Sequence, residues 1–239
     1  MSKYSQLDSI RLLATLPHPC GYLEDRDATT VFVDPEVPVD QVLYSRLSEL
    51  GFRRSGSYLY RPQCASCNAC IPSRVPVERF APNRNQRRCW RRNRDLDVIH
   101  QTEIDTDEQY ALYARYIEER HADGEMYPPS REQFRSFLNN PWGTTRYLEF
   151  RLEGRLVATT VTDVLCGGVS AIYTFYDPDE DRRSLGSYSI LYQIEWARRL
   201  GLPSVYLGYW IEACQKMAYK NQFQPLEILE NHRWSQKAD

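Results

Sequence analysis

The chain has 239 residues, 42% of them hydrophobic and 26% charged: enough apolar chain to bury a core without staples, and too polar for a membrane-embedded protein. A net charge of −2 excludes a globally basic nucleic-acid binder, so any such contact must come from local basic surface. Seven cysteines, an odd number, without a leader-like or membrane-length apolar run, lead us to expect reduced thiols and a cytoplasmic protein.

Residues 1–16 are polar and weakly patterned. Pro17 to Tyr22 reads as a rigid turn, and Thr29 to Val33 as a short strand. Asp40 to Leu50 reads as a helix with Val42, Leu43 and Leu47 inward and Gly51 as its stop. Phe52–Arg54 and Ser57–Arg61 read as hairpin arms around Ser55-Gly56. Pro72 to Val77 is extended, forced so by its two prolines. The arginine-rich segment 83–95 reads as a helix. Asp107 to Arg120 is an amphipathic helix with Tyr110, Tyr113 and Ile117 on one face. Ser130-Arg131-Glu132-Gln133 has the form of a capping box opening another helix, and the loop 123–129 between the two is expected to be exposed.

After Trp142 the period changes to two. Tyr147–Leu152, Leu156–Leu165 and Val169–Tyr176 read as three strands joined by turns at Glu153-Gly154 and Gly167-Gly168. A charged loop, 177–183, leads to a strong helix from Ser187 to Leu200. A strand at 204–207, a short helix over 213–220 and a last strand at 225–229 follow. The layout is α+β. We divide it into an N-terminal α/β domain, 1–100, carrying a cysteine knuckle and a basic strip, and a second domain, 101–239.

Chemistry could sit in four places. Cys64, Cys67 and Cys70 have a metal-knuckle spacing, but zinc or a cubane cluster needs a fourth ligand, and the position a ferredoxin run would fill is Arg74. Cys20 and Cys89 could supply it from a distance; otherwise these thiols are small core residues, and a bound metal is not favoured. Arg84, Arg87, Arg88, Arg91, Arg92 and Arg94, with Trp90 among them and no acid between, suit a phosphate backbone or a solvated helix face. Arg183, Gly186, Ser187 and Tyr188 open the long helix, where free backbone donors can take a phosphate unless a serine simply caps it. This strand, loop and helix order is similar to the acyl-carrier site of GNAT-type acetyltransferases. Lys216 and Lys220 share a helix face and could clamp a carboxylate with Tyr219 beside them. No histidine, serine or Walker motif is present, and transfer of a preactivated acyl group needs none.

Taken together, Cys20-Gly21-Tyr22, Cys64-x-x-Cys67-x-x-Cys70-Ile71-Pro72-x-Arg74, Phe80-x-x-Asn83-x-x-Gln86, Leu185-Gly186-x-x-Ser189 and Tyr206-Leu207-Gly208-Tyr209 through Lys216-Met217-x-Tyr219-Lys220 resemble the arginyl-tRNA–protein transferase family, above all its bacterial branch, the aspartate/glutamate leucyltransferases. The resemblance implies a GNAT-like core that moves leucine from leucyl-tRNA to proteins beginning with Asp or Glu, creating a degradation signal. It implies aminoacyl-tRNA contacts from Arg84, Arg87, Arg88, Arg91, Arg92, Arg183, Gly186, Ser187, Tyr188, Tyr209 and Trp210. Acceptor contacts would come from Arg74, Lys216, Tyr219 and Lys220, with Glu212 as proton acceptor. Eukaryotic members that hold a metal or iron–sulfur cluster have a cysteine where this chain has Leu23 and adjacent cysteines where it has spaced ones, so no cofactor is carried over. Arginine as donor, a coenzyme A-dependent acetyltransferase and a non-catalytic metal-knuckle RNA binder are the rival readings.

Overall fold

The computed structural model describes residues 10–124 and 126–237; most of the weakly patterned amino-terminal segment, and Glu125 in the expected loop, lie outside them. The first part runs β1 (Leu12–Ala14), β2 (His18–Pro19), β3 (Asp27–Ala28), β4 (Thr30–Val33), α1 (Gln41–Glu49), β5 (Arg53–Ser55), β6 (Tyr58–Pro62), β7 (Ile71–Pro76), α2 (Arg84–Arg92) and β8 (Asp97–Gln101). Then come α3 (Asp107–Arg120), α4 (Arg131–Leu138), β9 (Thr145–Leu152), β10 (Arg155–Leu165), β11 (Gly168–Tyr176), a 3-10 stretch (Pro178–Arg183), α5 (Leu185–Arg199), β12 (Ser204–Trp210), α6 (Gln215–Ala218), a 3-10 turn (Tyr219–Gln222), β13 (Glu227–Glu230) and β14 (Arg233–Gln236). The α+β class is as expected.

Eight strands form the main sheet in the order β14-β13-β7-β12-β11-β10-β9-β8. Strands from either side of residue 100 share it, because β7 is inserted between β12 and β13. A smaller sheet, β1-β4-β6-β5, packs with α1 around Tyr44, Leu47, Phe52, Leu59 and Tyr206. Both faces of the main sheet are covered. Leu148 and Phe150 join Leu191, Ile194 and Ala197 of α5 in one core, while Tyr147, one residue before Leu148, joins Tyr113, Ile117 and Phe134 of α3 and α4 in another. This alternation is the period-two signal put to use.

Capping explains where the helices begin. Asp40 accepts from the amide of Leu43 at 2.7 Å, and Asn83 and Gln86 form a reciprocal capping box at 3.0 and 2.9 Å. The Phe80-x-x-Asn83-x-x-Gln86 motif is therefore the start of the arginine helix. Ser130 caps Gln133 at 3.1 Å, but the reciprocal half of the expected box is absent, because Gln133 Oε1 accepts from the Tyr113 hydroxyl instead. Val42 is 48% exposed rather than inward, since α1 turns Tyr44 and Leu47 to the core. The expected single helix over 213–220 stops at Ala218 and tightens into a 3-10 turn. The expected charged loop 177–183 is mostly 3-10, held by Asp177 accepting from the Asp179 amide at 3.0 Å. At Gly168 a Cβ would lie 2.3 Å from the Ser204 carbonyl oxygen, so only glycine lets β11 approach β12 here.

Candidate active site

β11 and β12 pair in parallel only at Val169↔Val205 and Ser170↔Tyr206. Beyond that point β11 stays on β10 as far as Ala158↔Tyr176, while β12 is drawn to β7 through a bulge between Tyr206 and Gly208. The two strands therefore splay. A cavity of about 740 Å³ fills the opening, with Ala171, Tyr173 and Tyr176 on one wall and Leu207, Gly208 and Tyr209 on the other. That size holds a substrate fragment rather than a macromolecule.

The first turn of α5 stands at the cavity, represented by Ser184, Gly186 and Ser187. Ser184 adopts a left-handed conformation (φ 56°, ψ 48°) and makes no side-chain cap, so no serine oxygen competes for the helix's leading amides. Arg183, expected beside them, is engaged elsewhere. Its Nη1 and Nη2 each meet Asp95 at 2.9 Å and its Nε meets Glu180 at 3.0 Å, which holds the Asp95 carboxyl below its ordinary pKa.

Cations gather at the far side. Lys220 is only 4% exposed; its ammonium donates to the Tyr209 carbonyl and lies 3.4 Å from Met217 Sδ. Burial, and then the nearby charge of Arg53, lower its pKa to about 7. Arg53 lines the same cavity and is 5% exposed. Its Nη1 donates to the carbonyls of Phe52 (2.7 Å) and Ser48 (3.1 Å), and its guanidinium lies 5.2 Å from the Tyr206 ring centre. Lys216 also lines the cavity, but it is exposed and paired with Asp123 at 3.2 Å. The expected shared face of Lys216 and Lys220 is thus split between solvent and interior by the break after Ala218. Tyr219 lines the cavity.

Arg74 does not reach it. It is tied to Glu227 at 2.7 Å and Glu49 at 3.1 Å and stacks on Trp234, its centre 4.4 Å from the ring. Glu212 is exposed and outside the cavity lining. Tyr188 and Trp210 are core residues, 5% and 7% exposed, with Tyr188 packed against Trp90 and Phe150, so neither ring presents a free face. Tyr209 does line the cavity, although its hydroxyl donates to the Gly51 carbonyl at 2.9 Å. Sequence reasoning missed Arg53, His121, Tyr116 and Gln193 among the lining residues; none belongs to a recognisable motif. Gln193 Oε1 is buried with no donor, while its Nε2 meets Thr162 Oγ1 at 2.6 Å.

The arginines of α2 are all exposed, with Gln86 and Cys89 turned inward. Arg87, Arg91 and Arg94 line a shallow groove shared with Arg198 and Arg199 of α5 and floored by Phe80, Trp90 and Leu191. Two contacts couple this helix to the cavity. Gln86 Nε2 donates to the Gln222 carbonyl at 2.9 Å, next to the Lys220 turn, and Asn93 Nδ2 donates to the Arg183 carbonyl at 2.9 Å, at the start of α5.

Cys64, Cys67 and Cys70 precede β7 outside regular structure, with Cys20 and, unexpectedly, Cys214 near enough to act on Cys70 electrostatically. Burial first, then these thiols, push Cys70 up to about 12. Cys89, the other candidate ligand, is elsewhere, its sulfur 3.6 Å from the carbonyls of Arg183 and Ser184. Among the described residues no three His, Cys, Asp or Glu side chains are placed to hold a metal ion. No helix among them is long and apolar enough to cross a membrane.

A splayed strand pair, the start of a helix and two buried cations thus meet at one cavity, beside a helix of exposed arginines. Residues 18–88 match the family model for the arginine-tRNA-protein transferase N terminus and residues 108–230 that for its C terminus. The chain is 58% identical over 231 residues to a protein of Saccharophagus degradans named aspartate/glutamate leucyltransferase, covering 96% of this chain and 98% of that one. It is 56% identical over 230 residues to the protein of the same name from Pseudomonas fluorescens, with the same shares covered. A solved structure, that of L-PGS from Bacillus licheniformis, shares 12% identity and a TM-score of 0.46 over 68% of this chain and 48% of the other. The chain belongs to the arginine-tRNA-protein transferase family, and it is an enzyme of the aminoacyl-transferring kind.

Proposed function

We propose that the protein transfers leucine from leucyl-tRNA to the amino terminus of proteins beginning with Asp or Glu. The observation that carries this reading is 58% identity along 96% of the chain to a relative with that name. Arginine as donor and a non-catalytic RNA binder are the weaker readings, since the relatives that span this chain are named as leucyltransferases. The product would be a degradation signal, and a charged tRNA as donor suits a cytoplasmic reaction.

The geometry supports a division of labour within a GNAT-like core. The α2 arginines and the groove they share with α5 receive acceptor-stem phosphates, which position without reading sequence. The amino end of α5 and Tyr209 receive the terminal nucleotide, and the cleft between β11 and β12 receives the leucyl ester. Lys220, Tyr219 and Lys216 lie on the acceptor side; Arg74, tied up in two ion pairs, does not.

In the reaction the acceptor α-amine attacks the ester carbonyl, forming a C–N bond as the C–O bond to the ribose breaks. One proton leaves the amine and one reaches the ribose oxygen, so no net proton is consumed. An α-amine with a pKa of about 7.7–8.0 is partly neutral at cellular pH. Holding it against an already activated ester can then supply most of the rate, with no metal or cofactor required. Glu212, outside the cavity lining, is not needed for this.

The test is transfer of radiolabelled leucine, and separately arginine, from charged tRNA to peptides beginning Asp, Glu, Lys or Ala. Leucine appearing on the Asp and Glu peptides alone is the expected result. Arginine on those peptides would replace the donor, and tRNA binding without any transfer would overturn the enzymatic reading.

A further inference from the structure

Arg53 and Lys220 share an electrostatic anomaly. Both are almost fully buried, both line the splayed cavity, and each is close enough to the other for Arg53 to depress Lys220. Neither forms an ion pair with any carboxylate among the described residues: Arg53 Nη1 and Lys220 Nζ are met by backbone carbonyls and one thioether sulfur. Arg53 is the more incomplete of the two. Its Nε and Nη2 are buried with no hydrogen-bond partner. These two nitrogens form the side-on edge of the guanidinium, whose parallel N–H bonds match the two oxygens of one carboxylate. A buried guanidinium edge without an acceptor costs free energy unless something else supplies the oxygens. Its sequence neighbour shows the normal outcome: Arg54 is fully buried and paired with Asp163.

We infer that Arg53 is the specificity residue for the acceptor: its guanidinium, which lines the cavity, turns its unmet Nε–Nη2 edge to the side-chain carboxylate of the substrate's first residue, with Lys220 as the second cation beside it. The inference deepens the acceptor half of the proposed reaction and rests on that reading. Three features favour a carboxylate over a tRNA phosphate. The arginines of α2 that suit phosphates are exposed on the outer surface, whereas Arg53 is interior. The walls around it are aromatic, with Tyr60, Tyr209 and Tyr206 within its electrostatic reach, which suits one small planar anion better than a hydrated phosphodiester. Among the described residues Asp181 is the one carboxylate in the cavity lining, so an incoming acid meets little competing negative charge. An Asn- or Gln-initiated peptide would leave the fork half empty, and sites built to satisfy a buried polar group reject the analogue that cannot do so.

The experiment compares full-length wild type, Arg53→Met and Arg53→Lys in leucyl transfer to matched peptides beginning Asp, Glu, Asn or Gln, with thermal unfolding of each variant as a folding check. The expected result for Arg53→Met is a fall of about a hundredfold or more in kcat/KM for Asp and Glu peptides, the cost expected when a buried charged hydrogen-bond partner is lost. The Asp-to-Asn preference should collapse toward one, the KM for leucyl-tRNA should not change, and Arg53→Lys should fall between. In addition, an Asp-initiated peptide added without tRNA should raise the unfolding temperature of wild type and not of Arg53→Met. Retention of the Asp-to-Asn preference in a folded Arg53→Met protein would overturn the inference, as would a rise in KM confined to leucyl-tRNA. If Arg53→Met does not fold, the Arg53→Lys preference decides in the same way. Wild type failing to transfer leucine to any acidic peptide would instead overturn the proposed reaction itself.

Discussion

Arg54 Nε lies 2.5 Å from Asp163 Oδ2, and neither side chain has any exposed surface. The Tyr44 hydroxyl (2.8 Å), the Thr145 hydroxyl (2.7 Å) and the Asn140 side-chain amide (3.4 Å) also donate to the carboxylate, so one acid ties α1, β5, β9 and β10 together. Breaking such a pair from one side strands a buried charge. Arg54→Met or Asp163→Ala alone should each cost about 3–5 kcal/mol in urea unfolding. The double replacement should cost clearly less than the sum; simple additivity would show that the two groups do not act as a unit.

The α2 arginines should act on the tRNA half-reaction alone. Replacing Arg87, Arg88, Arg91 and Arg92 with Gln should raise KM for leucyl-tRNA and leave KM for an Asp peptide in place. It should also flatten the salt dependence of tRNA binding by roughly one unit of slope for each phosphate no longer neutralised. An unchanged salt slope would make the strip plain solvated surface.

Lys220 gives stability a particular pH dependence. Its folded pKa of about 7 lies below the ordinary lysine value, so between about pH 7 and 10.5 the unfolded chain binds the proton that the folded chain gives up. The lysine contribution to stability therefore rises with pH through that window and is at its worst below pH 7. Lys220→Met should remove this rise, which urea midpoints of the two proteins at pH 7 and pH 9 will measure. A parallel pH course in both would place the lysine in a more polar setting than its burial implies.

Gly168→Ala should disrupt the junction from which the cleft opens, because the added methyl would meet the Ser204 carbonyl at 2.3 Å. We expect a loss of about 1–3 kcal/mol together with much of the transfer activity. Gly186→Ala, whose methyl would sit 3.7 Å from the Tyr176 ring, should leave the unfolding temperature nearly unchanged.

The cysteines should prove dispensable as metal ligands. Burial and the surrounding thiols push Cys70 up to about 12, so a cation would have to displace its proton in order to bind. Dialysis against a strong chelator is expected to leave both transfer and unfolding temperature in place; a coupled loss of the two would show a structural metal.

Much of this was written locally. Helix α3 begins and ends where its apolar spacing indicated, and a capping box that the sequence reading did not use, Thr106 with Gln109, fixes its start. The β9–β11 meander followed from alternation and from Glu153-Gly154, whose φ values of 51° and 84° are those of a tight hairpin turn. What stayed hidden depended on distant partners. The exposed β1, Leu12–Ala14, exists because β4 pairs with it, and β14 because β13 does. Among the residues that line the cavity, Lys220 and Gly186 were singled out in the sequence, one by its spacing from Lys216 and the other by its place at a helix start. Arg53 was not: a strand arginine reads as surface, and only the packing of α1, Tyr206 and β12 around it makes it interior. The same blindness paired Cys89 with the other thiols and overlooked Cys214, since proximity across the fold leaves no spacing in the chain.

The insertion of β7 between β12 and β13 also fixes the order in which this molecule can come into being. A ribosome that has made α2 has already released β7, yet both of its neighbours are encoded much later. Until they emerge, that strand has two open edges and Arg53 has no chamber to face. Such long-range closure is slow and leaves sticky edges for other chains to find. Its compensation is temporal: a half-made chain has no cleft, so whatever chemistry the cleft houses arrives with the later strands and not before.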